Sequence, residues 1–208
     1  MSISLQTNYW TGVGTRSLTP EEEALAQEVG ARLTKLGYHL LSGGATGADT
    51  EFHRGVCSVD PALATIYLPY DGFKKHLRPT GSEGSMFITI GAGPWRELAG
   101  NYLKETGIYT GWDHVPEYSR EFHGRNYYQA FHHASVTQDE DGNFIQPRVP
   151  FSRFGVYFAD VTRTGKVKGG TRTAIELLQH HGRRTYNLRD PEQRVWFMSL
   201  LEQAEAQQ

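Results

Sequence analysis

Three times in this chain an apolar run stops at glycines and a helical pattern begins. "NYWTGVGTRS" (residues 8–17) runs into the glycine turn Gly12 to Arg16, and "YHLLSGGATGAD" (38–49) into a second turn from Ser42 to Asp49. "RFGVYFAD" (153–160) is followed by a third, "KGGTRT" (168–173). Between the first two lies "LTPEEEALAQEVGARLTKLGY", which reads as a helix. Thr19 is a natural N-cap, Pro20 suits the first helical position, and Glu21, Glu22 and Glu23 favour the positive end of the helix dipole. Leu25, Val29, Leu33 and Leu36 follow helical spacing, and Gly37 ends the run. With "ATIYLP" after the second helix, the first third of the chain reads strand, helix, strand, helix, strand. That alternation predicts parallel strands joined by helical crossovers.

The pattern returns near the end: the apolar strand, the helix "GGTRTAIELLQHHG", the short strand "RTYNL" and the closing helix "PEQRVWFMSLLEQAEA". The expected fold class is α/β, a Rossmann-like three-layer fold with a mostly parallel sheet and helices on both faces. A hydrophobic content of 38% over 208 residues supports one such core. The chain is therefore read as a single domain, 1–208, with an irregular insertion at about 70–150. Within that insertion "SMFITI" reads as a strand, while "GPWRELAGNYLKETG" and "PEYSREFHGRNYYQAFHHA" read as helices. "TQDEDGNFIQPRVP" reads as a surface loop or small hairpin.

Other readings are excluded by what is missing. The formal net charge is −2, so no overall basic excess points to nucleic acid, although "GFKKHLRP" and "HHGRRTYNLR" are local basic stretches. One cysteine forbids an internal disulfide or a cysteine zinc cluster. The nine histidines include adjacent pairs, His132–His133 and His180–His181, which diverge on a helix. No HExxH motif occurs, and neither a metal nor a cofactor is expected. No run approaches the roughly 18 apolar residues that span a bilayer. "MSISLQTNYW" lacks the basic start and apolar core of a signal peptide, which predicts a cytoplasmic protein without membrane contact.

In a parallel sheet the three glycine turns would share the carboxyl edge of the strands, where ligands bind. Each turn opens a helix whose first N–H groups lack internal partners. Glycine lets a phosphate approach those groups, and the dipole favours its charge. The candidate phosphate or nucleotide contacts are Gly12, Gly14, Thr15 and Arg16 in the first turn. The second turn offers Ser42, Gly43, Gly44, Gly47 and Asp49, and the third Gly169, Gly170, Thr171 and Thr173. Asp49 could instead cap its helix. A Rossmann dinucleotide motif fits less well, because "GVGTRS" lacks a third glycine and no acidic residue ends the second strand.

"GVGTR", "SGGATGADTEF" and "GGTRTAIEL" resemble the motifs of the SLOG superfamily, which includes DNA-processing protein A and the "Lonely guy" phosphoribohydrolases. The resemblance is greatest to short phage and prophage proteins of the DNA-recombination-mediator-A-like group, and "GRNYYQAF" supplies their RN-x-x-Q stretch through Arg125, Asn126 and Gln129. It covers both ends of the chain, matches 74–115 loosely and makes "TQDEDGNFIQ" an insertion. It implies that Glu176, placed like the glutamate of the phosphoribohydrolases' PGG-x-GT-x-x-E motif, acts at a ribose. It implies also that Arg125, beside Asn126, points at phosphate or the leaving group. Here the proline of that motif is Lys168 and its central glycine is Arg172.

The expected ligand is a nucleoside phosphate or ADP-ribose-like molecule. Two outcomes fit: N-glycosidic cleavage with Glu176 and Arg125 as catalytic residues, or holding without turnover, as a sensor or sponge of a nucleotide signal. Single-stranded DNA binding ranks third, since it needs a basic groove with stacking aromatics. Tyr9, Trp10, Tyr118, Tyr127 and Tyr128 are read as core or interface before base-stacking residues. Relatives' assemblies imply a homo-oligomer, for which the aromatic middle region offers an interface.

Overall fold

In the computed structural model, which describes residues 8–90, 94–145 and 149–208, the apolar runs become strands β1 (Tyr9–Gly14), β2 (His39–Ser42) and β3 (Ala64–Leu68). They are joined by β4 (Met86–Thr89), β7 (Phe154–Phe158) and β8 (Arg184–Asn187). All six lie in one sheet in the order β4-β3-β2-β1-β7-β8, and every pairing is parallel. A separate antiparallel hairpin, β5 (Thr137–Gln138) with β6 (Phe144–Ile145), forms within the polar stretch read as a loop or hairpin. Residues 146–148 of that stretch lie outside the described residues.

Side-chain alternation along each strand builds two cores. Trp10, Leu40, Ile66, Val156 and Phe158 face one side of the sheet. There they pack on α1 (Pro20–Lys35), α2 (Ala48–Cys57) and α6 (Pro191–Glu205). Leu41 and Tyr67 face the other side, with α3 (Trp95–Glu105), α4 (Glu117–Phe131) and α5 (Thr171–His180). This is the three-layer arrangement expected. Complete burial of a side chain such as Phe52 contributes roughly 1.5–3 kcal/mol.

The capping signals act as read. Thr19 accepts from the Glu22 N–H at 3.2 Å while Glu22 accepts from the Thr19 N–H at 3.0 Å, a complete capping box. The middle stretch, 70–150, holds β4, α3 and α4 together with the hairpin. Tyr127, Tyr128 and Phe131 of α4 are fully buried in the second core, so these aromatics hold the fold together and do not form an exposed interface. Trp10 is likewise core, Tyr9 is half-buried, and Tyr118 is exposed. Among the described residues no helix is long and apolar enough to cross a membrane.

Candidate functional site

From β1 the chain winds outward through β2, β3 and β4, then returns to place β7 on the opposite flank of β1. The crossovers diverge at β1 and β7, and a crevice opens outside their carboxyl ends, which is where open α/β sheets bind ligands. A cavity of about 400 Å³ occupies that position, within the range of roughly 300–1,000 Å³ usual for small-molecule sites.

All three glycine turns reach it. The first contributes Gly14, Thr15 and Arg16, the second Ala45 and Asp49, and the third Lys168 to Thr171. Ala159 and Asp160 follow β7, and α4 closes the floor with Arg125, Asn126 and Gln129. The α5 helix starts at this rim, and its N-cap, Gly170, receives no side-chain cap hydrogen bond. Its first N–H groups are therefore the positive end of a dipole turned to the cavity edge.

The floor is a buried polar cluster. Arg125 is 8% exposed, donates from Nη1 to the Gly43 carbonyl at 3.2 Å and from Nη2 to Asn126 Oδ1 at 3.1 Å. Asn126 Nδ2 donates to the Gly170 carbonyl at 2.8 Å, which ties α4 to the third turn. Asp49 is 2% exposed and accepts from the Gly14 N–H at 3.2 Å and the Ala45 N–H at 3.3 Å. Its carboxylate thus joins the first two turns. Both donors stand outside α2, so the Asp49 carboxylate ties turns together and does not cap that helix. Burial pushes the Asp49 carboxyl above its usual range, opposed by the Arg125 charge and by backbone N–H groups. Burial likewise pulls the Arg125 guanidinium down, opposed by Asp49. Gln129 is 1% exposed, and its Nε2 has no hydrogen-bond partner among the described residues. A buried amide left unpaired costs about 1–3 kcal/mol, and this one lies at the cavity.

Two glycines are fixed by close approach. A Cβ on Gly43 would fall 2.8 Å from Asp49 Oδ2, 2.9 Å from Arg125 Cζ and onto Gln129 Nε2. Gly47 has φ +84°, and a Cβ there would strike the Thr15 carbonyl and Arg16.

The expected contacts divide into three groups. Gly14, Thr15, Arg16, Asp49, Arg125, Asn126, Gly169, Gly170 and Thr171 line the cavity together. Gly12, Ser42, Gly43, Gly44 and Gly47 stand behind its wall. Gly12 makes room for Trp10 and Leu40, and the Ser42 hydroxyl donates to the Gly12 carbonyl at 2.6 Å. Thr173 and Glu176 open instead into a neighbouring recess. There Thr173 Oγ1 pairs with His123 Nδ1 at 3.1 Å, and Glu176 Oε1 accepts from Arg172 Nε at 2.7 Å. The two candidate catalytic residues, Glu176 and Arg125, therefore line different spaces. The carboxylates on the cavity itself are Asp49 and Asp160. Gln129, Asp160 and Lys168 were given no role on the sequence. Gln129 belongs to the RN-x-x-Q stretch named from the sequence, and it follows Arg125 by four residues on one helix face.

Fold and site define an α/β protein with a cavity lined by glycines and charged side chains at its topological switch point. No protein-family model matches the chain, and no curated protein or solved structure matches it.

Proposed function

We propose that the cavity binds a nucleotide-derived ligand bearing phosphate, a nucleoside phosphate or an ADP-ribose-like molecule. The observation that carries this reading is the convergence of three glycine turns on one cavity with the uncapped start of α5 at its rim. Arg16, Lys168 and Arg125 supply positive charge around that rim and floor. Backbone N–H groups and the helix dipole favour an anion there, and guanidinium forks match phosphate geometry.

The geometry favours holding over turnover. Glu176 is turned into the recess and engaged by Arg172, away from the cavity floor that Arg125 forms. The test is mass spectrometry of small molecules carried through purification under native conditions, followed by incubation of the protein with the identified compound. This reading expects a phosphate-bearing nucleotide recovered unchanged. Released free base, abolished by Glu176→Gln, would replace holding with N-glycosidic cleavage. Retention of oligonucleotides without affinity for mononucleotides would overturn the proposal in favour of single-stranded DNA.

A further inference from the structure

The cavity and the neighbouring recess meet along Lys168, Gly169 and Gly170, which belong to both. That shared stretch is a bare crest. Among the described residues, nothing beyond the chain neighbours lies within 4 Å of where a Cβ on Gly169 or Gly170 would stand. A ligand can lie across it with its phosphates against the first N–H groups of α5. On the cavity side the unpaired amide of Gln129 offers a buried donor to a first nucleoside.

The recess is larger than the cavity, about 640 Å³. Its wall is organised for a sugar or ring. Glu176 is held by Arg172, which leaves its second carboxylate oxygen for hydroxyl groups. His123 is fixed through Nδ1 by Thr173, which leaves Nε2 as the ring's remaining polar atom. Tyr109 stands edge-to-face to His123 with ring centroids 4.5 Å apart, and both line the recess. Burial and the nearby Arg125 lower the His123 pKa. A mononucleotide would fill one compartment only.

On the reading of the cavity as a nucleotide site, we infer that the cognate ligand is a two-part molecule: a nucleoside joined through a diphosphate to a second sugar or nucleoside, the diphosphate crossing the Gly169–Gly170 crest and the second unit seated in the recess between Tyr109, His123 and Glu176. Such a ligand uses both compartments and explains why Glu176 and Arg125 lie apart.

The experiment is calorimetric titration with matched pairs: AMP and ADP-ribose, GMP and GDP-mannose, UMP and UDP-glucose. For at least one base the two-part member should bind about tenfold or more tightly than its mononucleotide, a difference of about 1.4 kcal/mol. Tyr109→Ala should collapse that ratio. Arg172→Ala, which alters a side chain exposed at the helix surface, should do the same without threatening the fold. Equal affinities within every pair would overturn the inference while leaving the nucleotide reading in place, as would variants that weaken both members of a pair alike. Binding of no member of any pair would remove the nucleotide reading and this inference together.

Discussion

Gly43 carries a large share of the site's geometry for a residue with no side chain. Asp49, Arg125 and Gln129 close over it, and its carbonyl accepts from Arg125. Gly43→Ala should destabilise the protein by about 1–3 kcal/mol, as overpacking of a filled site does, and should remove nucleotide binding. Urea unfolding and a titration on the same sample check both. Gln129 makes the opposite prediction. Its Nε2 is buried without a partner among the described residues, so Gln129→Met, which removes that cost, should stabilise the ligand-free protein by about 1–3 kcal/mol. It should weaken nucleotide binding by roughly tenfold. Loss of stability with affinity intact would show that the amide serves the fold. The residue scale is also where the sequence was least legible. "GRNYYQAF" shows charged and amide side chains on a helix, and such residues ordinarily face solvent. Arg125 and Asn126 are buried here because the Gly43 and Gly170 carbonyls accept from them across distant parts of the chain, and the two side chains also pair with each other.

At the scale of elements, the strands and helices were largely readable, because apolar period and caps act locally. Thr19, Pro20 and Glu22 announced the start of α1, and the capping box is formed. Thr19→Ala should cost about 1 kcal/mol in chemical denaturation. The second task of Glu22 was not visible. Its Oε1 accepts from Arg189 Nε at 2.7 Å, and these residues stand 167 positions apart. Arg189 also donates to the Ser17 carbonyl at 2.7 Å and to Asp160 Oδ1 at 2.9 Å, so it fastens the β8–α6 connection to α1 and to the cavity rim. With both partners of the Glu22 pair less than a quarter exposed, Arg189→Ala should destabilise by about 1–2 kcal/mol. It should also raise amide exchange around Asp160. An unchanged exchange pattern would show that the rim does not depend on it. Helix phase explains Glu176. Arg172 and Glu176 are four residues apart and Thr173 and Glu176 three, so all share the face toward the recess, while Thr171 faces the cavity. Linear proximity to Gly169 suggested otherwise.

For the whole molecule, the histidines set the response to acid. Burial lowers His53 from 6.5 to about 4, aided by the charges of Arg78 and Arg54. Burial lowers His132 to about 4 as well, aided by His133 and His39. The unfolded chain takes up these protons near pH 6.5 and the folded chain only near 4, so stability falls as pH drops through that window. With 2% and 7% of their surfaces exposed, each contributes on the order of 2–3 kcal/mol. Asp49, raised by burial, acts with the opposite sign, since its protonation on acidification favours the folded state. Urea unfolding between pH 7.5 and 4.5 should show the net loss, and His53→Gln should flatten it. A level profile would contradict these assignments.

The parallel sheet and its two helical layers followed from alternation in the sequence. The position of β7 beside β1, which creates the crevice, depends on long-range packing that no local pattern encodes. The most direct measurement of what that crevice does is calorimetric titration with nucleoside monophosphates beside the same nucleosides without phosphate. The account predicts stoichiometric binding that requires the phosphate and weakens about tenfold or more in the Arg16→Ala, Lys168→Ala double variant. Binding indifferent to the phosphate, or no binding of any phosphorylated member, would contradict it.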